Sequence, residues 1–229
     1  MSDLNILDIA AVAWLILCWV GYTRYAEKRA SAGNLIGVMH RRRIDWMMRM
    51  LERENRMVDL QIINSALNNA TFFASTTILI LAGLFAVVAS PEKAIAIVSD
   101  LPFTAKATPV IWEAKVVLMM LIFVHGFFKF AWAMRQFNYC SLLVGAAPIN
   151  PVPVEGYRDY AVSAALVASL AAKHFNFGMR SYYFGMAALS WFIHPAALIP
   201  AVLIVVLVLY RREFRSRTLR AIDSCEASE

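Results

Sequence analysis

The sequence has little charge for its length, and this scarcity excludes an ordinary soluble protein. Only 17% of its 229 residues are Asp, Glu, Lys or Arg, whereas 60% are hydrophobic. A typical soluble domain has about 25% charged and about 45–50% apolar residues, so this chain is too apolar to be one. It also lacks internal repeats and a separate soluble segment. We therefore treat residues 1–229 as a single membrane domain.

Residues that carry metal, redox or hydrolytic chemistry are also sparse. The three cysteines, Cys18, Cys140 and Cys225, lack the spacing of a metal or redox site, and their odd number disfavours a disulfide framework. None of the four histidines lies four positions from another histidine or from a carboxylate. No glycine-rich phosphate-binding loop is present. We therefore expect no enzymatic activity, no cofactor and no metal ion.

Four strongly apolar segments predict membrane-spanning helices, at about residues 4–22, 67–89, 109–137 and 181–210. Each is close to or above the roughly 20 residues that cross a hydrocarbon core. The last of them contains His194-Pro195 and Pro200, which predict a kink there. Residues 157–177 are rich in alanine and only moderately apolar, so they form either a fifth span or a membrane-associated helix. The predicted fold class is all-α, a polytopic transmembrane helical bundle with four strong spans and a weaker fifth helix.

Positive charge is concentrated in two regions beside these spans. Nine Lys or Arg lie between Arg24 and Arg56, and five lie between Arg211 and Arg220. Such clusters usually mark the cytoplasmic side and contact anionic phospholipid head groups. This predicts a bacterial inner-membrane protein with its N-terminus outside and its Arg-rich loop and C-terminus in the cytoplasm. Hydropathy alone favours four spans, whereas charge favours five, because both basic regions then lie on one side.

Residues 26–64 predict a cytoplasmic helical extension with mixed charge and with apolar positions at helical spacing. Its apolar side chains either dip into the head-group region or pack on the protein's own helices, and the sequence favours neither. Nucleic-acid binding is disfavoured because no recognition fold accompanies the arginine run. We expect the lipid bilayer as a partner and leave open a second copy of the chain or another membrane protein. The candidate head-group contacts are Arg41, Arg42, Arg43, Trp46, Arg211 and Arg212.

The third span contains ionisable residues, and these are costly inside a bilayer. At about 100° per residue, Lys115, His125 and Lys129 share one side of the helix. A second polar line lies on the second span, and we expect it to face other helices of the protein, because small and hydroxyl residues let helices pack closely. We expect the basic face to turn inward, toward this second line or a wet cavity. Together the two lines form a candidate intramembrane polar stripe: Lys115, His125, Lys129, Gln136, Asn68, Thr71 and Ser75.

The sequence leaves two functional hypotheses open. The first is a small channel or transporter that uses the basic face to attract anions. The alternative is a non-transporting membrane scaffold, or an assembly or lipid-binding accessory protein. A water-accessible face at Lys115, His125 and Lys129 would favour the first. A dry, packed face would favour the second.

Five stretches of the chain, taken in order, carry a resemblance to a family. They are HRRRIDWMMRMLERENRMVD (His40–Asp59), FFASTTILILAG (Phe72–Gly83), FFKFAWAMRQFNY (Phe127–Tyr139), HFNFGMRSYYF (His174–Phe184) and LYRREFRS (Leu209–Ser216). Their order and content resemble the bacterial membrane proteins grouped as domain of unknown function family 599. The resemblance covers nearly the whole chain and implies a polytopic inner-membrane helical protein. It implies no activity.

The predicted topology can be tested at Cys225. The arginines after Tyr210 resist translocation, so we expect this cysteine to be cytoplasmic. A variant with Cys18 and Cys140 replaced should therefore not react in intact cells with a membrane-impermeant thiol reagent, and should react after the membrane is permeabilised. Labelling at the outer surface of intact cells would contradict the five-span topology.

Overall fold

A computed structural model of the chain describes residues 6–29, 35–92, 108–148 and 154–224. Of these residues, 93% are helical and none lies in a strand, which confirms the predicted all-α bundle. Cys225, residues 4–5 of the first predicted span and residues 30–34 of the predicted extension lie outside the described residues. The helices are α1 (Ile6–Lys28), α2 (Leu35–Leu51), α3 (Met57–Ala89), α4 (Pro109–Ala146), α5 (Val154–Ile193), α6 (Pro195–Phe214) and α7 (Arg217–Ser224).

Four described segments are long and apolar enough to cross a membrane. They are α1, α3, α4 and the stretch Pro195–Ile222, which contains α6. Helices α3 and α4 have 33 and 38 residues. Both are longer than the roughly 20 residues that a span needs. The predicted spans at residues 67–89 and 109–137 are therefore parts of longer helices.

The last predicted span, residues 181–210, is divided by a helix break at the place where the sequence predicts a kink, near His194 and Pro195. Helix α5 ends at Ile193, and α6 begins at Pro195. Proline lacks a backbone N–H and is favoured at the first position of a helix. His194 accepts a hydrogen bond at Nδ1 from the backbone N–H of Ala196, at 3.1 Å, and so caps α6. Hydropathy runs through this break without marking it.

The helix predicted at residues 157–177 is the first part of α5. This helix has 40 residues, and its length of about 60 Å is about twice the thickness of a hydrocarbon core. It is not among the four segments that are apolar enough to be candidate spans. A membrane crossing by residues 157–177 therefore stays a prediction.

The extension predicted at residues 26–64 is divided among α1, α2 and α3. The break between α2 and α3 covers residues 52–56. Here Asn55 accepts a hydrogen bond at Oδ1 from the backbone N–H of Met57, at 3.0 Å. Because an Asn side chain competes with the helix for backbone groups, it favours a helix start at this point.

The chain divides into two compact units, which are described separately. Helices α3, α4, α5 and α6 contribute residues to both. Unit 1 contains residues 1–28, 75–127 and 178–212, and unit 2 contains residues 29–74, 128–177 and 213–229.

The core of unit 2 forms around an alanine face of α5. Small side chains allow neighbouring helices to approach closely. Met47 and Met50 of α2 are fully buried in this core, and Phe137 of α4 is nearly so. The apolar side of α2 therefore packs on the protein, which decides between the two alternatives that the sequence left open. The alanines are Ala161, Ala164, Ala165, Ala168 and Ala171.

Asp59 of α3 joins α2 to α3 within unit 2. Its side chain is fully buried and accepts two hydrogen bonds at Oδ1, from Trp46 Nε1 at 2.7 Å and from Arg53 Nη1 at 2.6 Å. Hydrogen bonds to charged groups contribute about 1.5–3 kcal/mol.

Arg56 donates to the carbonyls of Ala147 and Pro148, at 2.6 and 2.7 Å. Both residues follow the last residue of α4, and their carbonyls have no partner within that helix. Arg56 therefore caps the end of α4.

Asp59→Asn should lower the free energy of unfolding by about 2–3 kcal/mol, because an amide keeps the shape but removes the charge that two donors share. Denaturant unfolding in mild detergent would measure the loss. Asp45→Asn is the matched control, since the Asp45 side chain is 51% exposed and lies 3.6 Å from Arg42. We expect a change below about 0.5 kcal/mol there. Equal losses in both variants would contradict the role of Asp59.

Candidate functional site

A cluster of buried polar side chains in unit 1 contains the first residue of the predicted basic face. Lys115 of α4 is 2% exposed, and its Nζ donates to the backbone oxygen of Trp191 in α5 at 2.8 Å. The ammonium also lies 5.3 Å from the centre of the Trp191 ring. The indole N–H of Trp191 in turn donates to Asp8 Oδ1 of α1 at 2.8 Å. A carbonyl and an aromatic face therefore stabilise the Lys115 charge, and the cluster joins three helices.

His125 lies elsewhere in unit 1 and is not enclosed. Its Nδ1 is 2.9 Å from Ser181 Oγ, and its ring contacts Trp19 edge-on at 5.2 Å, yet the residue remains exposed. Helices α4 and α5 approach closely here because Gly126 has no side chain. A Cβ at this position would lie 3.2 Å from Cβ of Ser181. Lys115 therefore has the expected inward orientation, whereas His125 does not.

Lys129 and Gln136 belong to unit 2 and have other neighbours. Lys129 is half-buried, with Nζ 5.5 Å from the centre of the Phe177 ring. Gln136 is 7% exposed, and its Oε1 has no hydrogen-bond partner among the described residues. Lys115, His125 and Lys129 of α4 thus have three separate sets of contacts.

The polar line on α3 does not face other helices of the chain, so that expectation is wrong. Asn68, Thr71 and Ser75 are all exposed, and Thr71 donates to the carbonyl of Leu67 in its own helix at 3.0 Å. The buried side of α3 lies roughly 130° away around the helix. Small side chains occupy that side and allow close packing, which explains why α3 turns it inward. The buried residues there are Asp59, Ile63, Ala70, Ala74 and Thr77.

Unit 2 contains a cavity of about 480 Å³, lined by residues of α2, α3, α4 and α5. This volume lies in the usual range for small-molecule sites, about 300–1,000 Å³. Helix α2 contributes Arg42, Arg43 and Trp46, which are three of the predicted head-group contacts. The other helices contribute mainly apolar side chains, among them Ile62, Ile63, Ala66, Phe137, Ala172 and Phe175.

Arg43 is the less compensated of the two cations in this cavity. Its Nη1 lies 3.5 Å from Ser169 Oγ, and the same hydroxyl lies 2.8 Å from His40 Nδ1. Burial lowers the pKa of the Arg43 guanidinium from its ordinary value, and the neighbouring Cys140 partly opposes that shift. Among the residues that the structure describes, no carboxylate lies within ion-pair distance of Arg43. Arg42, by contrast, pairs with Asp45.

The remaining predicted head-group contacts lie outside the cavity. Arg41 is exposed on α2. Arg211 and Arg212 are exposed and belong to unit 1, where Arg212 Nη1 donates to Tyr183 Oη at 2.7 Å. The six predicted contacts therefore divide into a cavity group, made of Arg42, Arg43 and Trp46, and an exposed group.

Sequence reasoning missed Asp8, Asp59 and Ser169. The two aspartates carried a usable signal, since each lies in or beside an apolar helix where a carboxylate needs a partner. Ser169 carried none, because a serine within an alanine-rich helix is ordinary. No described group of three or more His, Cys, Asp or Glu could hold a metal ion.

These features define the chain as a helical protein with four candidate membrane-spanning segments. A family described as protein of unknown function, DUF599, matches residues 10–218. The chain belongs to this family, which confirms the resemblance. No curated protein and no solved structure matches it.

Lys115→Met and Lys129→Met provide a matched comparison on one helix. We expect Lys115→Met to destabilise by about 1–2 kcal/mol, because it leaves the Trp191 carbonyl without its donor and Asp8 without a nearby cation. Lys129 is half-buried over one ring, so its replacement should cost less than about 0.5 kcal/mol. Unfolding midpoints in detergent would measure both. The opposite order would show that the Lys115 cluster is not structural.

Proposed function

We propose that the protein is a non-transporting, non-enzymatic accessory protein of the bacterial inner membrane that binds anionic phospholipids. In this proposal its N-terminus lies outside, and its Arg-rich region and C-terminus lie in the cytoplasm. The observation that carries the proposal is that α2 has one buried apolar side and one exposed basic side. Met47 and Met50 are buried in the core of unit 2, whereas Arg41 and Arg49 are exposed on the other side.

A packed helix presents its arginines at low entropic cost. The burial of Met47 and the bond between Trp46 and Asp59 hold α2 on the protein. Arg41 and Arg49 therefore keep a stable position beside helices that are apolar enough to enter a membrane. Each Lys or Arg near an anionic membrane surface contributes about 1 kcal/mol of attraction. Head-group binding thus requires no rearrangement of the chain.

The surroundings of Lys115 support this function over a channel. A conducting basic face needs its charges in contact with water, and Lys115 is 2% exposed and bound to a carbonyl. Lys129 rests over an aromatic ring in unit 2. The packed state of Lys115 matches what the accessory hypothesis requires of this residue.

Lipid retention would test the proposal. Protein purified in mild detergent is mixed with equal amounts of anionic phosphatidylglycerol and zwitterionic phosphatidylcholine, and native mass spectrometry counts the bound lipids. The parent should prefer the anionic lipid, and salt should weaken this preference. Arg41→Gln with Arg49→Gln should reduce it. Glu52→Gln with Glu54→Gln is the matched control, because it neutralises two exposed charges of opposite sign and should leave the preference intact.

A flux measurement provides the second arm of the test. Anion entry into liposomes containing the parent protein should equal that into empty liposomes across pH 5–8. Flux that Lys129→Met removes would contradict the accessory function and support a channel. Equal retention of both lipids by the parent would contradict head-group binding.

A further inference from the structure

The unit 2 cavity has walls of different chemistry. Both of its cations, Arg42 and Arg43, come from α2. The facing helices contribute mainly apolar side chains, among them Ile62 and Ala66 of α3 and Ala172 and Phe175 of α5, together with the amides of Asn69 and Asn176. A water-soluble anion would leave these apolar side chains uncovered, and a neutral hydrocarbon would leave Arg43 without a counter-charge. The cavity suits a molecule that has an anionic end and an apolar end.

Arg43 supplies the site for the anionic end. Removing a cation from water is costly unless a partner compensates for it. The described partner of Arg43 is a single hydroxyl at the long distance of 3.5 Å, with no carboxylate nearby. A guanidinium presents two parallel N–H donors that match the oxygens of a phosphate. A phosphate bound there would replace the solvation that Arg43 has lost.

A hydrogen-bond chain positions this guanidinium. Arginine can only donate, so Ser169 Oγ accepts from Arg43, and the same hydroxyl is hydrogen-bonded to His40 Nδ1 at 2.8 Å. Trp46, which belongs to the same polar wall, is held by its hydrogen bond to Asp59. The polar wall is therefore fixed at two points before any ligand arrives.

We propose that the unit 2 cavity binds one phosphate-bearing lipid, with its phosphate against Arg43 and its acyl chain along α3 and α5. The volume of about 480 Å³ suits a single chain. Binding is stoichiometric and saturable, unlike head-group attraction to exposed arginines. The site depends on the cavity and on Arg43, not on Arg41 and Arg49, so either proposal can fail without the other.

Three probes distinguish the requirement for an anionic phosphate from the requirement for an acyl chain. They are palmitoyl lysophosphatidic acid, palmitoyl lysophosphatidylcholine, and glycerol 3-phosphate, which has the phosphate without the chain. Purified full-length protein in mild detergent is titrated with each probe, and native mass spectrometry follows the singly loaded species. We expect one saturable site for lysophosphatidic acid, at least about tenfold weaker binding of the zwitterionic lipid, and no binding of glycerol 3-phosphate.

Variants test the two ends of the site. Arg43→Gln should weaken lysophosphatidic acid binding at least about tenfold and bring it to the level of the zwitterionic lipid. Ala172→Phe fills the cavity without changing charge and should abolish binding of both lipids. The matched controls are Arg135→Gln, an exposed arginine on α4 outside the lining, and Ala82→Phe, an exposed alanine on α3 outside the lining. Both controls should bind as the parent does.

Circular dichroism and the unfolding midpoint establish that each variant is folded. Ile62→Trp serves as a second cavity-filling variant, because Ile62 is half exposed and tolerates a larger side chain more easily. Three results would each overturn the proposal: equal binding of the two lysolipids by the parent, parent-like binding in both folded cavity-filling variants, or displacement of lysophosphatidic acid by equal glycerol 3-phosphate. Loss of the surface lipid preference in the Arg41 and Arg49 double variant leaves the single site unaffected.

Discussion

An ionised group that lies among apolar helices must find its partner on another helix, since the alternative is an uncompensated charge in a low-dielectric medium. Asp59 meets this requirement in unit 2 by accepting from Trp46 and Arg53. These two bonds place α2 against α3 and, with α2, the arginines that line the cavity. The cavity is open because the helices opposite α2 carry small side chains there, including Ala66 and Ala172. The polar contact and the small residues thus create the site together.

In unit 1 the buried ionised groups find their partners in a different way. Lys115 and Asp8 are both buried, and Trp191 contacts each of them, through its carbonyl and its indole N–H respectively. One residue therefore satisfies an ammonium and a carboxylate from two other helices. This arrangement explains how a lysine persists in an apolar helix without contact with water. An ionisable residue in a candidate span is consequently a weaker sign of a transport path when a neighbouring helix offers a backbone carbonyl.

The parts of the structure that depend on local sequence could be predicted. Apolar length predicts helices, and the arginine run placed Arg42, Arg43 and Trp46 on one helix, where they share the cavity. The rotation of α3 could not be predicted, because Ala70 and Ala74 gain more from close packing than Asn68 gains from a polar neighbour. Hydropathy alone does not mark the break before α6, whereas Pro195 does, because proline lacks the backbone N–H that a continuous helix requires.

Contacts between residues that are far apart in the sequence could not be predicted, for a simpler reason. Asp8 and Trp191 are separated by 183 positions, and Arg43 and Ser169 by 126. No periodicity or composition relates such residues. A carboxylate in an apolar helix indicates that a hydrogen-bonding or charged partner is needed. Several arginines and lysines of the chain could be that partner. The choice is made by the packing of the whole unit.

Arg41 and Arg43 show why a run of like charges should not be treated as one feature. They are two positions apart, and so roughly 200° apart around α2. Arg41 stays in contact with solvent, where salt screens it and an anion adds little. Arg43 faces a cavity, has lost part of its hydration, and has a single hydroxyl as its described partner. Because an anion gains more beside a desolvated cation than beside a hydrated one, the same helix can offer weak contacts to many lipids and a strong contact to one.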